Sequence, residues 1–269
     1  MARRRSRKKK NKSRKWLYIF LITAIIFYAS YYYRFEIYGL YKFYFSSDKL
    51  VDLKKEKQKT NSIFEKYSIF GLDVSQYQKK INWSKVAEDE NIKFVFIRAT
   101  AGKDFVDKKF NYNWKESKKN KIIRGAYHYY RPNENSRLQA QNFIKTVNLE
   151  PGDLPPVLDI ERFSSVQSLT SLKNGVLKWL KIVEEHYGVK PILYTYQNFY
   201  ISVFRGDKRF ETYPLWIAYY STKSKPDKKV GDWIFWQFSE SGRVEGISEN
   251  VDLNVFYSDY ETLKSLTIK

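Results

Sequence analysis

Two carboxylates close an apolar run in Pro155-Pro156-Val157-Leu158-Asp159-Ile160-Glu161. Val157–Ile160 reads as a short strand. Strand side chains alternate between faces, so Asp159 and Glu161 share one face, about 7 Å apart along the backbone. Carboxylates at the end of an otherwise buried strand are costly unless something pairs or uses them. They are therefore candidates for acid/base chemistry, although a strand running out into a polar loop would account for them equally well. Other polar residues recur along the apolar runs: Asp73, Arg98 with Thr100, Tyr127 with Tyr129, Tyr194 with Tyr196, Trp216, Trp236 with Gln237, and Asp252. Taken singly, Tyr and Trp on strands are usually core or rim, and Arg98 could simply pair with a carboxylate. Three runs ending in Asp or Asp/Glu, beside aromatics, carry more weight together.

Glycoside cleavage suits this set. One carboxylic acid protonates the leaving oxygen, and a second carboxylate stabilises the oxocarbenium-like state or assists a nucleophile. Burial and like-charge neighbours raise the pKa of one member, as an acid catalyst requires, while aromatic walls stack on sugar rings. The chemical rival is a magnesium site built from Asp73, Asp159, Glu161 and Asp252, since oxygen-rich clusters also bind hard cations.

The elements that must position these residues are short apolar runs: Ile69–Val74, Phe94–Thr100, Gly125–Tyr130, Val157–Glu161, Ile192–Tyr196, Leu215–Tyr219, Trp233–Phe238 and Val251–Phe256. Helix-like stretches separate the first five: Trp83–Glu90, Lys108–Lys119, Ser136–Val147 and Leu169–Tyr187. In the last, Leu172, Val176, Leu177, Leu180, Val183 and Tyr187 keep close to a 3.6-residue period, and Gly188 follows at the helix-stop position. Strands alternating with helices predict a parallel sheet with crossover helices. Eight strands within about 190 residues predict a compact closed barrel, whose active site lies at the C-terminal strand ends. Beyond the fifth strand, Asn198–Phe210 and Ser221–Gly231 lose helical pattern, so the second half reads as a barrel with helices missing.

Composition narrows the classes. The chain has 269 residues, enough for one large domain of about 200 residues and an extension. Aromatics make up 18% of it, suiting a large core or a stacking groove. The absence of Cys excludes disulfides, thiolate zinc sites and a cysteine nucleophile, and two His make a multi-histidine metal centre improbable.

The formal charge of +20 is uneven, because residues 1–15 hold ten Lys or Arg and no acid. Trp16–Tyr33 then runs without a charge; as a helix it would be about 27 Å long, close to the ~30 Å bilayer core. Trp16 and Tyr18 at one end and Tyr31, Tyr32 and Tyr33 at the other suit interfacial belts, and the basic leader orients the N-terminus to the cytoplasm. A cleaved signal peptide is the rival, weakened by the lack of a small-x-small pair after the apolar run. The expected organisation is a basic cytoplasmic leader at 1–15, a single-pass transmembrane anchor at 16–33, a juxtamembrane linker at 34–66 and a barrel at 67–269. This places the barrel in a periplasmic or extracellular space, and the leader is a topology signal rather than a nucleic-acid arm.

Seven stretches occur in order: Gly71-Leu72-Asp73-Val74-Ser75-Gln76, Phe96-Ile97-Arg98-Ala99-Thr100, Gly125-Ala126-Tyr127-His128-Tyr129-Tyr130-Arg131-Pro132, Leu158-Asp159-Ile160-Glu161, Tyr194-Thr195-Tyr196, Leu215-Trp216-Ile217-Ala218 and Val251-Asp252-Leu253-Asn254. Together, over about residues 69–260, the chain resembles the glycoside hydrolase family 25 lysozymes, the Chalaropsis-type muramidases. The resemblance implies a (β/α)5(β)3 barrel. It also implies hydrolysis of the β-1,4 bond between N-acetylmuramic acid and N-acetylglucosamine in peptidoglycan, with retention and substrate assistance, without cofactor or metal. Glu161 would be the general acid, and Asp159 its charge-stabilising or acetamido-orienting neighbour. Asp73 and Asp252 would complete the acidic cluster. Arg98, Tyr127, Tyr129, Tyr194, Tyr196, Trp216 and Gln237 would contact substrate. Ala101 departs from the family, which often has Glu or another polar residue there, and no wall-binding repeats follow the barrel. The expected partners are peptidoglycan strands and the cytoplasmic membrane, with the chain acting as a monomer. The alternative is a non-catalytic glycan-binding module on the same barrel.

Overall fold

The computed structural model describes residues 63–269, together with Tyr18, Ile22, Thr23 and the pair Val51–Asp52. The basic leader, most of the apolar span and most of the linker lie outside the described residues. Among the described residues, no helix is long and apolar enough to cross a membrane.

Ten strands form one sheet: β1 (Val51–Asp52), β2 (Phe70–Val74), β3 (Ile92–Ala101), β4 (Phe105–Val106), β5 (Ile123–Tyr129), β6 (Val157–Asp159), β7 (Ile192–Tyr196), β8 (Leu215–Ala218), β9 (Phe235–Arg243) and β10 (Val251–Phe256). Eight of them close a ring in the order β9-β10-β2-β3-β5-β6-β7-β8, with β8 pairing back onto β9. Within it, β10 runs antiparallel to both neighbours and the remaining contacts are parallel. β1 and β4 are short additions to β9 and β3. The helices are α1 (Ile63–Lys66), α2 (Trp83–Val86), α3 (Phe110–Lys119), α4 (Ser136–Thr146), α5 (Leu169–Tyr187), α6 (Gln197–Val203) and α7 (Tyr260–Ser265).

A helix follows each of β2 to β7, counting barrel strands, and none longer than a 3-10 turn follows β8 or β9. This is the five-plus-three pattern that the resemblance implies. The local chemistry explains the helices: Asn135 and Ser168 cap α4 and α5 by accepting backbone N–H bonds, and Gly188 closes α5 at φ 71°, where a side chain would be strained. Two expectations are corrected. Gln197–Val203 is helical, because Phe199, Tyr200 and Val203 form a short buried face that a longer periodicity window dilutes. Trp83–Glu90 is helical only to Val86. The barrel also recruits residues before 67: Ile63 is in the core, and Phe64 stacks on Phe70 at 4.3 Å.

Strand alternation makes two cores. Outward side chains such as Leu72, Val95, Ile97, Leu158, Leu193 and Ile217 pack under the helices. Inward ones, among them Phe94, Phe96, Trp216, Phe235 and Phe256, fill the barrel. A Cβ on Gly71 would lie 2.5 Å from the Phe94 ring, and one on Gly125 2.6 Å from Phe96. These glycines therefore make room for a solid aromatic floor. The polar residues sit above it.

Candidate active site

The inward positions one or two residues beyond the aromatic floor are polar, and they line a cavity of about 240 Å³. All eleven residues expected from sequence border it: Asp73, Arg98, Tyr127, Tyr129, Asp159, Glu161, Tyr194, Tyr196, Trp216, Gln237 and Asp252. Thr100 and Trp236 do not. A register shift between Arg98 and Thr100 turns Thr100 outward, where it bonds His128 at 2.7 Å. His128 is enclosed against Trp179 and α4, and burial lowers its pKa to about 3, so it is a neutral core residue. Trp236 belongs to the outer core and donates to the Tyr219 carbonyl.

Asp159 ends β6, and Glu161 lies just past it. The turn between them is pinned: Ile160 N–H donates to the Tyr194 carbonyl at 3.1 Å, and Thr195 Oγ1 donates to the Ile160 carbonyl at 2.5 Å. With Ile160 buried outward, both acids face the cavity as strand alternation requires, although the strand itself stops at Asp159.

A donor chain converges on Asp73. Tyr194 and Tyr220 hydroxyls donate to Gln237 Oε1 at 2.8 and 3.1 Å, and Gln237 Nε2 donates to Asp73 Oδ2 at 2.8 Å. From the other side, Trp216 Nε1 donates to Asn254 Oδ1 at 2.8 Å, and Asn254 Nδ2 donates to Asp73 Oδ2 at 2.8 Å. An indole can only donate, so it fixes the Asn254 amide and leaves Asp73 as an acceptor. Trp216 is 2% exposed, with Phe96 stacked on it at 4.4 Å and Tyr194 edge-on at 4.4 Å. It therefore serves the floor and the network, and its faces are taken by neighbours rather than offered as a sugar platform.

Asp73, Asp159 and Asp252 are protonated more readily than in water. Burial pushes Asp159 well above the usual range, and the charges of Glu161 and Asp73 push it further while Arg98 opposes them. Asp252 is raised by burial and by Asp73, to which it hydrogen-bonds. Asp73 is raised by burial in spite of its donors Asn254, Gln237 and Asp252. The Glu161 charge is the largest influence raising Tyr196. Tyr127 and Tyr129 are raised mainly by burial, so these phenols stay neutral donors.

Two buried atoms in the cavity wall have no hydrogen-bond partner: Asp159 Oδ1 and Arg98 Nη2. Among the described residues, no group of three His, Asp or Glu side chains is arranged to hold a metal ion.

Sequence reasoning missed Ser75, Tyr77, Gln78, Tyr220 and Glu240 at the cavity and Asn254 beneath it. Two signals were present. Ser75 and Gln78 form an S-x-x-Q capping box that shapes the loop after β2, and Asn254 stands two residues from Asp252 on the same strand face.

The family model for glycosyl hydrolases family 25 matches residues 72–247. The chain belongs to glycosyl hydrolase family 25. Lysozyme M1 of Streptomyces globisporus is 33% identical over 208 residues, covering 73% of this chain and 70% of the relative. The Escherichia coli (strain K12) protein YegX is 42% identical over 203 residues, covering 74% and 73%. Among solved structures, a family 25 glycosyl hydrolase from Bacillus anthracis superposes with a TM-score of 0.68 at 32% identity, covering 75% of this chain and 94% of that one. This family 25 hydrolase thus carries its acids on the β2, β6 and β10 ends of the barrel, with a tyrosine-lined wall between them.

Proposed function

We propose that the chain is a peptidoglycan hydrolase that cleaves the β-1,4 bond between N-acetylmuramic acid and N-acetylglucosamine by a retaining, substrate-assisted route. The observation that carries this reading is that Asp159, a residue only 5% exposed in the cavity wall beside Glu161, has a buried Oδ1 with no hydrogen-bond partner. An orphaned buried carboxylate oxygen costs about 1–3 kcal/mol or more, which a substrate N–H relieves. An acetamido N–H donating to Asp159 turns the acetamido oxygen toward the anomeric carbon. That oxygen attacks as the glycosidic bond breaks, and Glu161 protonates the departing oxygen. Water then opens the cyclic intermediate from the face the leaving group departed, opposite the acetamido oxygen, breaking the bond from that oxygen to the anomeric carbon and giving its proton to Glu161. Asp73 and Asp252, sharing a proton, keep the site's net charge low enough for cationic character to develop beside Asp159. Proton NMR of the first turnovers tests the route: β-configured reducing ends are expected first, and α-configured ends would contradict it.

We further propose that residues 16–33 anchor the chain in the cytoplasmic membrane as a single span, with the N-terminus cytoplasmic and the barrel, as a monomer, on the outer side. The support is the sequence: ten cations in residues 1–15, then eighteen uncharged residues with aromatic ends. Carbonate extraction of membranes from cells expressing the full chain tests it; release into the supernatant would contradict it.

A further inference from the structure

The donor set of the cavity is lopsided. Five carboxylates border it, from Asp73, Asp159, Glu161, Glu240 and Asp252, and Arg98 is the only cation among the described residues doing so. Arg98 is built in rather than swinging free. Its side chain is 12% exposed, and Nε donates to Asp107 Oδ2 at 2.8 Å. The guanidinium carbon lies 5.0 Å from the Tyr77 ring and 5.5 Å from the Phe105 ring. Asp107 is in turn held by the backbone N–H groups of Gln76 and Lys109, at 3.0 and 2.9 Å. A guanidinium fixed at Nε and flanked by two rings presents its remaining fork in a set direction, and its Nη2 has no partner.

The register locates that donor relative to the orphan acceptor. Arg98 is level with Tyr127 on β5, and Asp159 is level with Tyr129 on the same strand. The two therefore stand two strands and two residues apart, roughly 12 Å between their backbones, and the reach of the arginine spans much of that gap. Their charges interact across it. A muramyl ring differs from a glucosaminyl ring by the lactyl ether on C3, the carbon next to the one that carries the acetamido group. The lactyl oxygens, as carboxylate or as amide carbonyl, accept hydrogen bonds, and a guanidinium can only donate. A ring whose acetamido N–H is held by Asp159 carries its lactyl group on the adjacent carbon, and Arg98 Nη2 is the one cationic donor of the described cavity wall left to meet it.

We propose that Arg98 Nη2 binds the 3-O-lactyl oxygen of the ring whose acetamido group Asp159 holds, and so selects muramyl over glucosaminyl rings at the cleaved position. This rests on the peptidoglycan hydrolase reading above. Asp107 is a positioning residue for it.

Binding to the full chain carrying Glu161→Gln, followed by calorimetry, tests the proposal without requiring turnover. The probes are a peptide-free tetrasaccharide of alternating N-acetylglucosamine and N-acetylmuramic acid, and N,N′,N″,N‴-tetraacetylchitotetraose. The muramyl tetrasaccharide is expected to bind at least tenfold tighter. Adding Arg98→Gln should bring it down to the chitotetraose level while weakening chitotetraose less than twofold. Arg98→Lys, which keeps the Asp107 ion pair but lacks the fork, should cut the preference to under threefold. Equal weakening of both ligands by Arg98→Gln would assign Arg98 a structural role and overturn the proposal, as would a full preference surviving Arg98→Lys. Binding of neither glycan by the Glu161→Gln chain would instead overturn the underlying reading of the cavity.

Discussion

Asp73 and Asp252 stand directly opposite each other in the antiparallel pairing of β2 and β10, and their carboxyl groups hydrogen-bond. Like charges in that position repel, so the contact persists by holding a proton. Asp73 already accepts from Gln237 and Asn254, which leaves Asp252 as the donor. This pair lies at the seam where the antiparallel strand enters a parallel ring, and it turns a liability of the fold into the base of the acidic site.

A pH dependence of stability follows. Asp73, Asp159 and Asp252 all have folded pKa values above their unfolded values. Their contribution is fully present below the unfolded value, about pH 4, and is lost as pH rises through the raised folded values. Asp252→Asn keeps a neutral donor to Asp73 and cannot ionise. Its melting temperature relative to wild type should climb between pH 5 and pH 8, by about 2–4 °C for each 1 kcal/mol recovered. Thermal melts at the two pH values check this; a difference that does not change with pH would contradict it.

The network beneath Asp73 should be sensitive to loss of one donor. Asn254→Leu leaves the Trp216 indole N–H and one Asp73 bond unsatisfied, and should cost about 1–3 kcal/mol. Trp216→Phe removes the N–H that orients Asn254 and also leaves a cavity beside Phe96 and Tyr194, and should cost about 2–4 kcal/mol, with a larger loss of kcat than of binding. Urea unfolding and steady-state kinetics on solubilised peptidoglycan measure both.

Much of this was legible in the sequence because alternation is so regular on the barrel strands. The inward polar residues named from the chain, from Asp73 on β2 to Asp252 on β10, lie at the cavity because the residues between them, most of them apolar, point outward. What escaped was what short windows and loops hide. Helix α6 is seven residues long. Tyr220 and Tyr77 sit on loops after strands, where no periodicity fixes direction. Strict alternation would turn Thr100 to the same face as Arg98, and the irregularity beside Ala99 reverses it. The resemblance implies that Trp216 contacts sugar, yet the ring packing that buries it depends on Phe96 and Tyr194 from other strands.

Stability and chemistry separate at the opposite end of the barrel. Arg124, at the start of β5, makes a forked ion pair with Asp153 at 2.7 and 3.1 Å and lies 3.9 Å from the Trp114 ring. Both charged side chains are buried, and Asp153→Ala leaves Arg124 only the half-exposed Glu150 as counter-ion, at 3.1 Å, so it should cost about 3 kcal/mol. The folded fraction should retain wild-type kcat, as measured at a temperature well below its melting point.

The central claim is that Glu161 protonates the leaving oxygen of a muramyl–glucosaminyl bond. Mass spectrometry of peptidoglycan digests by wild type and Glu161→Gln tests it most directly. Wild-type fragments should end in reducing N-acetylmuramic acid, and the variant should lose at least ~100-fold in rate with its fold preserved. Fragments ending in reducing N-acetylglucosamine, or full activity in Glu161→Gln, would contradict it.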